Sequence, residues 1–457
     1  MAFDAVFQAY RKGENPRRPD VAAELAARRA FIREDIGHSL VLETPDSVLN
    51  TAFHFSKLRA AESIIRTRGG YMHAPGGEVF YAAVWTNDQC EYVIPFFPFL
   101  GYATANESAI NTFRHFARFM NADYRPLPSS IIAEGTDIWN GAGDRGDAAM
   151  CANGAARYAL ARADRTEAEE LWPLVEWCLE YCRRNRTADG VVASDSDELE
   201  GRFPVGRTNL ATSALYYDAL LSAAALGREI GVKPSQTNAY LRQARELAAA
   251  IERFFGRDVA GYHAYRYSEI NDKLRAWICM PLVVGLSERR EGTVAALLGP
   301  ELHTEDGLLT EQGDSVFWDR STLYALRGIF RAGCADKAGD FLHRFTARRL
   351  TGDHVPYFIE AWPEGSGSMR QLSAESGLYC RIFTEGLFGI RPTGFRSSLP
   401  AAWDRAALRH IRAFGSDFDL EIERVASDRL RVTLRRQDKN PQIHILKSGM
   451  TLRISLK

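Results

Sequence analysis

The sequence predicts an all-α fold, an (α/α)6 toroid of six helical hairpins followed by a small antiparallel β appendage. Three observations carry this expectation. Apolar residues recur at three-to-four spacing in a series of stretches between residues 46 and 389. Short and long links alternate along that series, so the stretches pair into hairpins. After about Gly394 the period drops to two, as in DFDLEIERVASDRLRVTLRR and QIHILKSGMTLRISLK, with turn residues between the runs.

Taken in order, residues 1–45 form a polar lead-in with one amphipathic helix, from about Asp20 to Asp35. Helices follow near 46–68, 87–101, 103–122, 145–163, 166–186 and 207–230, then near 234–256, 271–287, 289–299, 314–333, 335–350 and 370–389. Gly101–Tyr102, Gly231–Pro234 and Gly333 supply tight links within pairs. CEYVIPFFPFLGY and LRAWICMPLVVGL are apolar on all sides and belong inside, whereas TEAEELWPLVEWCLEYCRR keeps a polar face and belongs outside. Pro95 and Pro98 are expected to kink or break the first of these. The expected division is a helical lead-in over 1–45, a barrel over 46–393 and a small β domain over 394–457.

Composition narrows the function. The 457 residues carry 57 basic and 58 acidic side chains, so no net field draws the chain to nucleic acid or a charged membrane. No run reaches the ~18 apolar residues of a membrane helix. MAFDAVFQAYRKGENPRRPD lacks the apolar core of a signal peptide, which predicts a cytoplasmic protein. The seven cysteines are scattered through apolar runs and read as buried free thiols. Cys178 and Cys182 have no second Cys/His pair beside them and make no zinc site. There is no Walker loop and no strand-linked G-x-G-x-x-G, so no nucleotide cofactor is expected.

The long links collect the residues able to do chemistry. YAAVWTNDQ, IIAEGTDIWNGAGDRGD, VVASDSDELEGRFP, GYHAYRYSEINDK, LTEQGDSVFWDR and YFIEAWPEGSGSMRQLSAES each precede every second helix. Alternate helices therefore begin on one side, as six inner helices of a toroid sharing one mouth would. VVASDSDELEGRFP crowds Asp195, Asp197, Glu198 and Glu200 at a helix start. Such crowding is costly unless water, hydroxyls or a metal satisfies it, although a solvated acidic cap is the plainer explanation. The spacing lacks the glycine and distal glutamate of a calcium loop, so no metal is expected.

Six hairpins with acidic, aromatic links resemble the (α/α)6-barrel glycosidases and sugar phosphorylases: glucoamylases, trehalases, processing α-glucosidases, α-L-rhamnosidases and maltose phosphorylases. Asp197–Glu198 followed by RTNLATSALYYDALLSAA is similar to the place where glucoamylases and maltose phosphorylases carry their general-acid glutamate. AESGLYCRIFTEGLFGIRPTGFRSSLPAAW resembles the helix-to-β junction of the phosphorylases and rhamnosidases. VWTND resembles a sugar-binding segment at the barrel mouth, and SVFWDRSTLYALRGI a late inner helix of the α-glucosidases. The resemblance spans roughly Ser47 to Trp403 and reproduces no single family's signature. Those glycosidases often carry an N-terminal β-sandwich, and here only the helical lead-in precedes the barrel.

Glycoside hydrolysis needs one protonated carboxyl to assist departure and one ionised carboxylate to activate water or attack. Glu198 is the candidate acid, its pKa expected to rise through repulsion from carboxylates 195, 197 and 200, with Asp197 and Glu200 as alternatives. The resemblance to processing α-glucosidases implies Glu360 as the base, with Glu364 and Glu375 as rivals. Glu375 equally suits a helix start for dipole reasons alone. The resemblance also implies inversion of configuration. Trp85, Trp139, Trp318 and Trp362 are candidate sugar platforms, each as readily explained as core. Asp88, Asp144, Asp147, Arg202 and Asp319 are candidates for hydrogen bonds to hydroxyls, with Asp144 and Arg145 equally a local ion pair. The expected substrate is an α-linked or rhamnosyl-type oligosaccharide or glycoside. A phosphorylase would seat phosphate near Glu360, with Arg370 and Ser373 at hand, and a lyase would use His263, Tyr265 and Tyr267. A non-catalytic sugar-binding barrel is the remaining alternative.

Overall fold

The computed structural model describes residues 13, 19–75, 83–134, 138–140, 143–199, 203–350, 358–359, 371–392, 394–437 and 439–454, with Trp139, Asn140, Ile359 and Gln371 described in backbone alone. About half of it is helix, in thirteen α-helices, joined to a small antiparallel sheet. Helix α1, Val21–Ala30, begins at Asp20, whose carboxylate accepts from the amides of Ala22 and Ala23. Helix α2, Ser47–Glu62, begins likewise at Asp46, capping Val48 and Leu49.

The expected helix over 46–68 stops at Glu62. Ile64–Thr67 pairs instead with Gly70–His73 as a hairpin. The β-branched Ile64, Ile65 and Thr67 favour the strand, and Gly70, at φ +107, supplies the left-handed turn position.

The next segment is irregular for the reason its prolines predict. Asn87–Val93 is a π-helical stretch, Ile94–Phe96 a 3₁₀ turn, and α3, Phe97–Leu100, a single α turn, with Pro95 and Pro98 each removing an amide donor. After Gly101, left-handed at φ +69, comes α4, Ala103–Ala117. Then follow α5, Asp147–Arg162, and α6, Arg165–Arg184, and after them α7, Leu210–Ile230, and α8, Pro234–Phe255. Ala276–Cys279 leads into α9, Met280–Val284, which is followed by α10, Arg290–Leu297. The series ends with α11, Asp319–Arg331, α12, Ala335–Arg349, and α13, Ala374–Arg381, which runs on as Ile382–Leu387.

Six of these segments pack in sequence. Residues 87–100 touch α5, α5 touches α7, α7 touches α9, α9 touches α11, α11 touches α13, and α13 touches Asn87–Val93 again. Two glycines permit the closest approaches. A Cβ on Gly154 of α5 would overlap the Cys90 carbonyl oxygen, and one on Gly377 of α13 would stand 2.9 Å from Val93 Cα. The helices α6, α8 and α12 carry exposed charge on one face, as the sequence of α6 predicts.

The C-terminal sheet is a meander of Arg405–Ala413, Ser416–Ala426, Arg429–Arg436 and Gln442–Lys447, each antiparallel to the last. Its other edge is taken by Val41–Glu43, so residues ahead of α2 finish the sheet. Alternate residues such as Leu408, Leu420, Ile422, Val432 and Leu434 are buried, each large apolar side chain contributing about 1.5–3 kcal/mol relative to exposure. Phe414 joins sheet to helices: its amide donates to Ala161 O at 2.6 Å and its ring meets Phe99 edge-on.

Candidate active site

The N-terminal ends of the packed segments converge, and the acidic stretch is stitched among them. The amides of Asp195 and Ser196 donate to the Asp144 carbonyl at 2.8 and 3.0 Å, and Asp195 Oδ2 accepts from the Asp144 amide at 2.9 Å. Asn209 caps α7 through the Thr212 amide while its own amide donates to Ser194 Oγ and the Ser196 carbonyl. Asp197 accepts from Tyr267 Oη at 2.9 Å and from the Leu199 amide at 2.9 Å. With the loop held from both sides, the next side chain, Glu198, turns inward and is 5% exposed.

Glu198 Oε1 accepts from the indole N–H of Trp277, and Oε2 lies 3.8 Å from Arg320 Nη1. Burial pushes its pKa up to about 8, and the nearby Glu91 carboxylate adds to the rise. Arg320, the Trp277 indole and the Asn87 amide oppose it. The like charge beside Glu198 is therefore Glu91 from the first packed segment. The carboxylates at 195 and 197, named from the sequence for that effect, turn to Asp144 and Tyr267 instead.

Arg320, the second residue of α11, gathers the other groups. Its Nη2 lies 2.6 Å from Glu375 Oε1 and 3.5 Å from Asp88 Oδ1, its Nη1 reaches Tyr92 Oη at 3.4 Å, and its plane lies over the rings of Tyr92 and Trp318. One guanidinium thus spans Glu198 and Glu375, Nη1 facing the first and Nη2 the second. Glu91, which is buried, accepts from Tyr324 Oη, and burial raises its pKa to about 6.

The remaining described candidates are held by other side chains. Asp147 pairs with Arg145 at 3.3 Å, and Arg145 also lies over the ring of Trp85 at 5.4 Å and reaches the Asn87 side chain. Asp144 accepts from Tyr181 Oη at 2.7 Å and the Gly146 amide at 2.8 Å, with burial raising its pKa to about 6. Arg145 thus pairs with Asp147, not with Asp144. Asp319 pairs with Arg349 at 3.1 Å, and Trp318 is buried beneath Arg320. Glu200, Arg202, Glu360, Trp362, Glu364 and Arg370 lie outside the described residues, as does the side chain of Trp139. Among the described residues no group of His, Cys, Asp or Glu is disposed to hold a metal ion.

Four residues of this centre escape sequence reasoning: Glu91, Trp277, Arg320 and Tyr324. Glu91 and Trp277 sit in CEYVIPFFPFLGY and LRAWICMPLVVGL, read as buried helix. Their signal is a carboxylate and an indole donor in otherwise apolar runs. Arg320 adjoins the candidate Asp319, and Tyr324 lies one turn beyond it.

No family model matches the chain, and no curated protein matches it in sequence. Solved structures do match. A sialidase superposes with TM-score 0.66 at 13% identity over 89% of this chain and 41% of its own. A family GH78 rhamnosidase of Bacillus sp. GL1 does so with TM-score 0.64 at 13% identity over 88% and 42%. A variant glycosidase in complex with glucose gives TM-score 0.60 at 15% identity over 76% of this chain and 100% of its own. The chain spans about two fifths of the sialidase and of the rhamnosidase, and all of the shorter glycosidase. What the chain shares with them is the fold.

Proposed function

We propose that this chain is a glycoside hydrolase that cleaves an α-linked or rhamnosyl-type oligosaccharide with inversion, using Glu198 as general acid. The observation that carries the proposal is a buried carboxyl, its pKa raised to about 8, set where the N-termini of the packed segments meet. The six packed segments are the inner ring of an (α/α)6 toroid spanning 46–393, with 1–45 leading in and adding the strand Val41–Glu43 to the β domain of 394–457.

Glu198 donates its proton to the glycosidic oxygen as the bond from that oxygen to the anomeric carbon breaks. The carboxylate left behind is received by the Trp277 indole and the Arg320 guanidinium. Water adds to the anomeric carbon from the opposite face and yields its proton to the base. Glu360 is that base, with Glu364 and Glu375 as rivals. It follows directly on Ile359, whose strand pairs with Gln371–Leu372 just ahead of α13 and Glu375. Glu375 is the weaker choice because its carboxylate is engaged by Arg320. Trp85, Asp88, Trp139, Arg202 and Trp362 are the proposed sugar contacts.

The test is a reducing-sugar assay on α-linked disaccharides, rhamnosides and aryl glycosides, with and without phosphate. It compares wild type, Glu198→Gln and Glu360→Gln, and the product anomer is followed by NMR. Turnover without phosphate that both variants lose, giving the inverted anomer, supports the proposal. Turnover only with phosphate makes the chain a phosphorylase, and sugar binding without turnover makes it a binding barrel. Retention of configuration removes Glu360 as a base acting through water.

A further inference from the structure

The acidic stretch has a second face. Glu198 turns inward, but Asp195, three residues earlier and at most ~11 Å away between Cα atoms, is exposed. It lines a groove of about 450 Å³ with Tyr124, Asp144, Tyr181 and Arg207. Tyr124 is also a wall of a second groove, of about 740 Å³, lined by Pro173, Glu176, Trp177 and Glu180 of α6 and Tyr240 of α8. The two make one track from the acidic stretch to the outer helices, and each part is of a size that holds a ligand.

The residue that joins them sits in an uncommon backbone conformation. Tyr124 has φ +53, in the left-handed region where a bulky side chain is an outlier. The turn around Asn121 holds it there. The Asn121 side chain accepts from the Arg125 amide at 2.9 Å and donates to the carbonyls of Phe119 and Arg125 at 3.1 Å. Its carbonyl accepts from the Tyr124 amide and, at 2.9 Å, from the Trp177 indole. Tyr124 and Trp177 then stack at 13° from parallel, Trp177 and Tyr181 at 21°, and Arg184 lies over Tyr124. Tyr124 and Trp177 are nonetheless only half-buried, so their rings are fixed before any ligand arrives and little rotamer freedom is left to lose. Tyr240 is half-buried too. Among the described residues its one ring neighbour is Trp172, tilted at 58°, so no ring stacks on its face.

The polar groups select the ligand. Glu180 is paired with Arg183 and Arg184, Glu176 accepts from Gln236, and Asp144 accepts from Tyr181. Two groups are left over. Asp195 gives Oδ2 to the Asp144 amide and keeps Oδ1, and among the described residues nothing pairs with the exposed guanidinium of Arg207. One charge of each sign provides no field for an anionic or a cationic polymer. A fork of donors, an acceptor-only oxygen and apolar ring surface match the vicinal hydroxyls and the C–H face of a pyranose.

We propose that this track binds a neutral glycan chain beside the barrel mouth, so that the substrate is a long oligosaccharide or polysaccharide held there while a bond is cleaved at Glu198. The substrate class rests on the hydrolase reading above, whereas the binding of glycan does not.

The test is affinity electrophoresis of the full chain in native gels containing amylopectin, dextran or a neutral rhamnan, beside hydrolysis of the aryl glycosides. Retardation by one of these glycans is expected. Tyr240→Ala and Arg207→Ala, one from each groove, should each weaken it roughly 5- to 10-fold while aryl-glycoside turnover stays at the wild-type rate. Retardation unchanged in either folded variant overturns the proposal. Should Tyr240→Ala not fold, Arg207→Ala decides alone, since its side chain is exposed. Retardation without turnover of any glycoside removes the hydrolase and keeps the glycan site. Turnover by a wild type that runs freely in all three gels keeps the hydrolase and removes the site.

Discussion

Glu198 is a carboxyl that resists ionisation because burial and Glu91 both disfavour its charge. Its folded pKa of about 8 exceeds the ordinary 4.5, so the folded chain holds this proton where the unfolded chain has lost it. The stability it lends is full below pH 4.5, declines as pH rises and is gone above about 8. Glu198→Gln removes that dependence. The variant's melting temperature is therefore expected to gain on wild type steadily across this window, and a constant difference would contradict the shift. In activity the same variant should lose roughly 10²- to 10⁴-fold, least on aryl glycosides whose leaving groups need no proton, together with the alkaline limb of the pH profile. Trp277→Phe tests the partner. Without the indole N–H the charged form is less favoured, so the alkaline limb should move to higher pH while kcat falls roughly 10- to 100-fold. An unmoved limb would mean the indole only fills space. Glu198 was legible because it stood among crowded carboxylates at a helix start. Glu91, its electrostatic neighbour, was not, because an alignment of residues 91 and 198 requires three-dimensional closure that periodicity does not encode.

At the scale of elements, the helices were the most legible part. Their apolar period, the aspartate caps at Asp20, Asp46 and Asp164, and the glycines after α3 and α7 are local features that local sequence fixes. The hairpin at Ile64–His73 is hidden in the sequence because its apolar residues continue the helical phase of α2, and only the β-branching and Gly69–Gly70 argue otherwise. The strand Val41–Glu43 is illegible for a different reason: three residues show no period, and its partner lies in Arg405–Ala413. Contact between elements is set by residues that patterns ignore. Gly154→Ala should drive α5 off the Cys90 carbonyl and cost ~1–3 kcal/mol in urea unfolding, with a matching loss of turnover as Asn87 and Asp88 shift with that segment. Stability equal to wild type would show that the two segments can separate without cost.

For the whole molecule, the sequence supplied the order of hairpins but not how the last meets the first. That junction is the packing of α13 on Asn87–Val93, where Gly377 lies against Val93, and it brings Glu375, Arg320, Asp88 and Glu198 to one point. It has a consequence for biosynthesis. A ribosome delivers Val93 early and Gly377 near the end, so the emerging helices stack as an open arc that lacks its closing neighbour. Until α13 arrives, Arg320 lacks Glu375, the carboxylate that holds its guanidinium beside Glu198. The charged cluster around Arg320 is thus completed in a single late step, when the arc's two free ends find each other.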